Sequence, residues 1–224
     1  MTANSKTPSA DGNYWIRTRV ARGCGTVAQA DETTGIVRYD SSSTNTPSTN
    51  SNTGRNLCAD KLPENLQPVV PWNVSDLQGN QSDYTFQADI DTTVTHHAFR
   101  WDLTDTPLYL NYSNPSILNT LNQTFLNDPF QAMIKYNFST GYVYLIVDGA
   151  NLPGLQQKTP APAAHPIHLH GHDFVILAQT NETFNGTVPA FDPINPTRRD
   201  VALLYGGGYL ALAFKPDNPG LWLV

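Results

Sequence analysis

The sequence predicts an all-β protein, and three observations support that prediction. Short runs of β-branched and aromatic residues alternate with polar residues, as they do in half-buried strands. Clusters of Gly, Asp, Asn, Ser and Pro separate these runs and are typical of turns. Helix signals are confined to 116–125, which Pro115 precedes at a favourable starting position. Many short strands with few helices indicate an antiparallel sandwich or barrel.

The pattern divides the chain into three parts. Two strands are predicted at 14–20 and 35–39, and the first of them alternates as a half-buried strand does. Residues 41–56 are rich in Ser, Thr, Asn and Pro without apolar periodicity, which indicates an exposed linker. Residues 1–40 are too short for an independent domain, so we expect the end of a preceding one. In the main domain, 57–224, strands are predicted at 84–90, 97–103, 142–147, 167–178, 199–204 and 209–214.

Composition indicates a globular protein and excludes two classes of partner. Of the 224 residues, 39% are hydrophobic and 14% are charged, a balance that supports a packed core. The net charge of −6 disfavours nucleic acid, because binding phosphates requires clustered Lys and Arg. No run approaches the ~18 apolar residues of a membrane helix. The first residues lack the apolar core of a signal peptide, so the chain is either cytosolic or lacks its true start.

Glycosylation sequons favour an extracellular protein whose start is missing. Seven Asn-x-Ser/Thr sites make the chain a candidate secreted glycoprotein: Asn73, Asn80, Asn111, Asn122, Asn137, Asn181 and Asn185. The cysteines form an even pair, Cys24 and Cys58, which an oxidising compartment would allow to join. Two unpaired, buried thiols are the alternative interpretation.

The strongest chemical signal is the octapeptide His-Pro-Ile-His-Leu-His-Gly-His at 165–172, which holds four of six histidines. Neutral imidazole is the commonest metal ligand and suits copper, zinc, iron and nickel. If the segment is a strand, His168, His170 and His172 share one face and His165 points away, so two centres could be served. A surface tract or hydrogen-bonded core histidines are the alternatives. The apolar run Phe-Val-Ile-Leu-Ala that follows argues against a loose tract.

This octapeptide resembles the third copper motif of multicopper oxidases, and its continuation into Asp-Phe is similar to fungal laccases. The resemblance covers most of the chain, and it implies cupredoxin-type Greek-key barrels and a disulfide between Cys24 and Cys58. Four further blocks follow in family order: Asn-Tyr-Trp-Ile-Arg at 13–17, Gly-Ile-Val-Arg-Tyr at 35–39, Asn-Pro-Thr-Arg-Arg-Asp-Val at 195–201 and Asp-Asn-Pro-Gly-Leu-Trp at 217–222.

The resemblance also implies a role for each motif residue. His165 would be a ligand of the type 1 (blue) copper, His168 of the type 2 copper and His170 of the type 3 pair. His172 matches a position that is not normally a ligand and would orient its neighbours. Asp173 could accept a hydrogen bond from a ligand imidazole, or could be an ordinary surface carboxylate.

The activity implied by the resemblance is that of a laccase. Such an enzyme couples one-electron oxidation of phenols or similar donors to reduction of dioxygen to water. In the family, however, the Asn-Pro-Gly-x-Trp block runs into His-Cys-His, and here the sequence ends at Val224. Neither cysteine has a histidine neighbour, and the histidine pairs of the family's first domain are absent. We therefore expect a fragment that lacks its N-terminal domains, holds three copper ligands and is inactive alone.

Two other functions stay open at this point. A cupin-like metalloenzyme also uses His-x-His on a β-barrel, but it requires a later histidine, and none follows His172. A non-catalytic binding or structural protein with a cupredoxin shell is the second. Among the remaining residues, the Arg198-Arg199-Asp200 run is expected to form an internal salt bridge rather than a functional site, and Trp72, Trp101 and Trp222 are expected to lie in the core.

Overall fold

The fold is described from a computed structural model. The described residues are 12–19, 32–48, 58–60, 66–91, 100–103, 106–107, 111–121, 134, 136, 141–149, 159–160 and 164–222. The chain forms two compact units, Met1–Cys58 and Ala59–Val224. That the first unit is the end of a preceding domain stays a prediction.

The first unit is built on an antiparallel pair of strands, β1 (Asn13–Arg19) and β2 (Glu32–Arg38). The side chain of Asn13 is buried and donates hydrogen bonds to Ser43 Oγ at 2.7 Å and to the carbonyl of Asn45 at 3.2 Å. The first residues of the predicted linker are therefore held against β1 rather than free of it.

The second unit contains the remaining described strands, a short helix and one 3-10 turn. The helix α1 covers Ser116–Leu121, and the 3-10 turn covers Gln81–Tyr84. Residues 122–125 of the predicted helix lie outside the described residues. The strands are β3 (Leu77–Gln78), β4 (Thr85–Asp91), β5 (Arg100–Leu103), β6 (Thr106–Pro107), β7 (Tyr142–Asp148), β8 (Thr159–Pro160), β9 (His165–His168), β10 (Phe174–Thr180), β11 (Arg198–Arg199), β12 (Val201–Leu204) and β13 (Tyr209–Phe214).

Most of these strands form one sheet in the order β11-β10-β13-β7-β4-β5-β6, with β3 on β7 and β8 on β4. A separate pair joins β12 to β9. The pairs β4–β7 and β3–β7 are parallel, whereas the sequence predicts antiparallel neighbours. Parallel neighbours need a crossover connection, and the long segment between β4 and β7 provides the length for one.

The core lies on both faces of the strands β7, β10 and β13. Val143 and Leu145 contribute to one apolar cluster, and Tyr142 and Ile146 contribute to the other. A strand covered on both faces reads as a continuous apolar run, which explains the sequence Tyr-Val-Tyr-Leu-Ile-Val of β7. All six residues of β13 are buried, and its bounds match the prediction at 209–214.

Candidate metal centre

The histidine motif is carried by β9 and the turn that follows it. Strand β9 pairs antiparallel with β12, placing His168 opposite Val201 and His165 opposite Leu204. The strand ends at His168, and the chain turns at His170 and Gly171 before β10 begins. The prediction of one continuous strand over 167–178 is therefore wrong. Since β9 pairs with β12 while β10 pairs with β13 and β11, the chain must turn between the two strands.

His168 and His170 lie next to each other despite this turn. Their ring centroids are 4.9 Å apart and their planes are nearly perpendicular, at 83°. His168 Nδ1 lies 2.6 Å from the backbone carbonyl oxygen of Asp200, and the ring of His170 is exposed. Because a carbonyl oxygen only accepts, Nδ1 of His168 carries the hydrogen, and in the neutral imidazole this leaves Nε2 with its lone pair. A metal-binding histidine is commonly held in this way.

His165 occupies a different environment. Its ring packs edge-on against Trp101, with centroids 3.8 Å apart, and its Nε2 is buried without a hydrogen-bond partner. Burial lowers the pKa of His165 and so favours the neutral imidazole, which is the form that binds metals. Trp101 was expected in the core, but its side chain is 45% exposed beside His165.

His172 does not face the same space as His168 and His170. Its Nδ1 lies 3.2 Å from the carbonyl oxygen of His170, and its Nε2 is buried without a partner. The ring packs between Phe214, at 5.2 Å, and Trp222, at 5.9 Å. The shared face predicted for His168, His170 and His172 is absent because the strand has already ended at His168.

The acidic and basic residues around the motif form ion pairs with each other. Asp173 pairs with Arg198, so its carboxylate contacts a guanidinium rather than an imidazole, contrary to one of the two expectations. Arg199 pairs with Asp60 at 2.9 Å. The guanidinium of Arg198 also stacks 3.8 Å from the ring centre of Trp72. The two arginines of the run thus serve as salt-bridge partners, as expected.

The histidines present suit copper, although they do not complete a centre. Each of His165 and His168 offers one ring nitrogen that no protein group uses, and imidazole is a ligand that copper favours. Within the described part of the chain, no group of three or more His, Cys, Asp or Glu side chains is arranged to hold a metal. The described site is therefore a histidine pair together with a separate third histidine.

A family model described as multicopper oxidase matches residues 109–224. The chain belongs to the multicopper oxidase family. It is 34% identical to a laccase of Arthroderma benhamiae and 37% identical to laccase-2 of Botryotinia fuckeliana, in each case over 96% of this chain and 36% of the relative. The chain thus spans about a third of the length of these relatives.

Solved structures agree with this multicopper oxidase assignment. The laccase from Botrytis aclada matches 95% of this chain and 37% of its own, with a TM-score of 0.62 and 35% identity. Fet3p, described as a multicopper oxidase that functions in iron import, matches with a TM-score of 0.57 at 17% identity and so supports the fold alone. The predicted all-β, cupredoxin-like fold is confirmed. Family membership also sets aside the cupin-like alternative.

The structure describes only some of the other predicted site residues of this multicopper oxidase chain. Cys58 is disulfide-bonded, and Cys24 lies outside the described residues, so their pairing stays a prediction. Asn122 and Asn137 also lie outside them. In the described ranges no helix is long and apolar enough to cross a membrane. Five sequon asparagines are exposed: Asn73, Asn80, Asn111, Asn181 and Asn185.

Two features near the histidines could not be found from the sequence. One is the backbone carbonyl of Asp200. Because every residue has a backbone carbonyl, the sequence does not indicate which one contacts His168. The other is Asp60, a carboxylate more than 100 positions before the strands that it contacts. Contacts between residues so far apart in the sequence leave no local sequence pattern.

Proposed function

We propose that this chain is the copper-binding part of a laccase-type oxidase, which oxidises phenolic or similar aromatic donors one electron at a time and reduces dioxygen to water. The observation that carries the proposal is the pair His168–His170, with ring centroids 4.9 Å apart, inside the segment matched by the family model. Copper, when bound, supplies the one-electron redox chemistry.

Each motif histidine has a distinct part in this proposal. His165 would hold the type 1 copper, His168 the type 2 copper and His170 one of the type 3 pair. The half-exposed ring of Trp101 lies against His165, so an aromatic donor that reaches this surface meets the indole beside the proposed ligand. The carbonyl of Asp200 holds the His168 ring with Nε2 free, and this arrangement supports a ligand role.

The remaining ligands would come from polypeptide outside these 224 residues. A blue copper site requires a thiolate beside two histidines, and neither cysteine in the sequence has a histidine neighbour. The chain spans 36% of the laccase relatives, which leaves room for further domains in the complete protein. We therefore expect the 224-residue chain to lack oxidase activity on its own.

The test compares two polypeptides loaded with copper: the 224-residue chain and the same chain within its full natural reading frame. The longer protein should show the intense blue absorption of a copper-thiolate site and consume oxygen with a phenol. The 224-residue chain should do neither. In the longer protein, His168→Ala should abolish oxygen consumption, whereas His97→Ala, outside the octapeptide, should retain it. Blue colour or phenol turnover by the short chain, or full activity of His168→Ala, would refute the proposal.

A non-catalytic cupredoxin shell is the second candidate. It is favoured by the finding that the described residues contain no complete group of metal ligands. The metal content of the full-length protein distinguishes the two functions. A structural shell should bind no copper tightly, whereas an oxidase retains copper through desalting.

We further propose that the protein is secreted and N-glycosylated. Exposed sequons such as Asn111 and Asn185, together with the disulfide-bonded Cys58, support an oxidising, extracellular environment. Protein purified from its native source should lose mass on treatment with a peptide N-glycosidase. An unchanged mass, with both cysteines reacting as free thiols, would contradict this proposal.

A further inference from the structure

Asp60 lies where three elements of the second unit meet. One oxygen of its carboxylate, Oδ2, accepts hydrogen bonds from Gln179 Nε2 at 2.8 Å and from the backbone N–H of Leu203 at 2.8 Å. The same oxygen lies 2.9 Å from the guanidinium of Arg199. These donors come from β10, β12 and β11 respectively. Asp60 therefore ties the three strands together at one point.

The residues held by Asp60 are placed on both sides of Asp200. Arg199 immediately precedes Asp200, and Leu203 follows it by three positions in β12. The carbonyl oxygen of Asp200 is the group that lies 2.6 Å from His168 Nδ1. The next residue along, Val201, is the β12 partner of His168 in the pairing with β9. Restraining both sides of Asp200 thus fixes where its carbonyl points.

Gln179 reinforces this arrangement. Its Nε2 donates to Asp60 Oδ2 and to the carbonyl of Leu203, both at 2.8 Å. The Asp60 and Arg199 side chains are only 23% and 20% exposed, so water competes weakly for their ion pair. Pairs shielded in this way restrain geometry more strongly than pairs on an open surface.

We propose that Asp60 is a positioning residue for the metal ligand His168. By holding Arg199 and Leu203, it keeps the Asp200 carbonyl against Nδ1 of His168 and so keeps that imidazole in the tautomer that leaves Nε2 free for a metal. Second partners of this kind orient metal-binding histidines and fix their tautomer. The metal part of this inference rests on the proposed copper function, and the tautomer part does not.

The first test measures the tautomer of His168 by ¹⁵N NMR on the metal-free 224-residue chain, in mildly alkaline buffer where imidazoles are neutral. The unsubstituted chain should show the Nδ1–H form. Asp60→Asn removes the charge that holds Arg199, and we expect His168 to relax to a mixture of tautomers. Asp192→Asn is the control, because this exposed carboxylate accepts a local bond from Ile194 N that an amide oxygen can also accept.

The second test measures copper affinity by titration with the metal alone. Asp60→Asn should weaken binding about 10- to 100-fold, the usual effect of losing a group that orients a ligand. Asp192→Asn should leave affinity unchanged, and Asp60→Glu should restore part of the loss. The titration uses the full-length protein, because the 224-residue chain lacks the remaining ligands. If the unsubstituted full-length protein binds no copper, the proposed function fails, and the NMR result still decides the role of Asp60.

An unchanged Nδ1–H tautomer in folded Asp60→Asn would overturn the inference, even if the variant were less stable. A purely structural role would lower the melting temperature and leave the tautomer unchanged. Should Asp60→Asn not fold, Arg199→Gln removes the ion pair and retains the bonds from Gln179 and Leu203 to Asp60. That variant should also show mixed tautomers, and an unchanged tautomer there would equally refute the role.

Discussion

Gly171 determines the turn that separates the histidines of the motif. Its φ of +75° lies in the left-handed region that favours glycine, and ring carbons of Trp222 lie 2.7–2.8 Å from the position of an added Cβ. Its carbonyl accepts a hydrogen bond from Asn218 Nδ2 at 2.9 Å, and the Asn218 carbonyl accepts one from Trp222 Nε1 at 2.9 Å. Gly171 is thus required both by the backbone angle and by the indole. Trp222, expected in the core, is 40% exposed.

Gly171→Ala should therefore destabilise the chain by more than a glycine of similar φ elsewhere. Gly207 is the matched control, because its φ is +72° and an added Cβ would meet nothing within 4 Å. Gly207→Ala should cost about 1–2 kcal/mol for the left-handed backbone alone. Gly171→Ala should cost about 1–3 kcal/mol more, because it also displaces Trp222. Urea unfolding measures both free energies, and equal losses would show that the contact with Trp222 contributes nothing.

The element that presents the histidines is the pair β9–β12, and it stands apart from the large sheet. The pair contains four residues in each strand, so its own hydrogen bonds provide limited stability. Hydrogen bonds link it to its neighbours: Gln179 of β10 donates to the carbonyl of Leu203 in β12, and Asp60 accepts from Leu203 N and pairs with Arg199 of β11. The position of His168 therefore depends on interactions between elements as well as within β9.

Acid should weaken this element through Asp60. Burial alone would raise the pKa of Asp60, but hydrogen bonds from Gln179 and Leu203 and the charge of Arg199 outweigh it and lower the pKa. Because the pKa of Asp60 is lower in the folded state, its carboxylate stabilises the fold fully at pH values above the pKa of the unfolded chain, about 3.9. This stabilisation is lost as the pH falls through the pKa of the folded state. Asp60→Asn should remove this part of the acid dependence.

Unfolding free energies of the unsubstituted chain and Asp60→Asn, measured from about pH 6 downward, check this expectation. The difference between the two proteins should be largest near neutral pH and should shrink as the pH falls below ~4. A constant difference across that range would mean that the carboxylate charge contributes nothing to stability.

At the scale of the whole molecule, the chain is a cupredoxin-like multicopper oxidase segment, and its described residues contain no complete group of metal-binding side chains. The family assignment rests on residues 109–224 and on relatives of which the chain spans about a third. The ring of His165 contacts Trp101, whereas the rings of His168 and His170 contact each other. These different surroundings support the proposal that His165 serves one copper centre and the His168–His170 pair serves others.

Much of the fold and part of the site could be predicted from local sequence. Strand β13 was predicted with its bounds because an apolar run between Gly and Pro residues has few other solutions. The break between β9 and β10 was missed, because the alternating residues 167–170 and the apolar run 174–178 together resemble one strand although they belong to different sheets. The parallel neighbours of β7 were missed as well, since strand order depends on contacts distant in sequence.

By itself, the sequence determined the all-β class, the family resemblance and the identity of the candidate copper ligands, because strand periodicity and ligand chemistry are properties of short segments. Only the tertiary structure decided how those histidines are placed. It placed His168 beside His170, His165 against Trp101 and the Asp200 carbonyl on His168. These contacts join residues that the chain separates, and they form only when β9, β12 and Asp60 pack together.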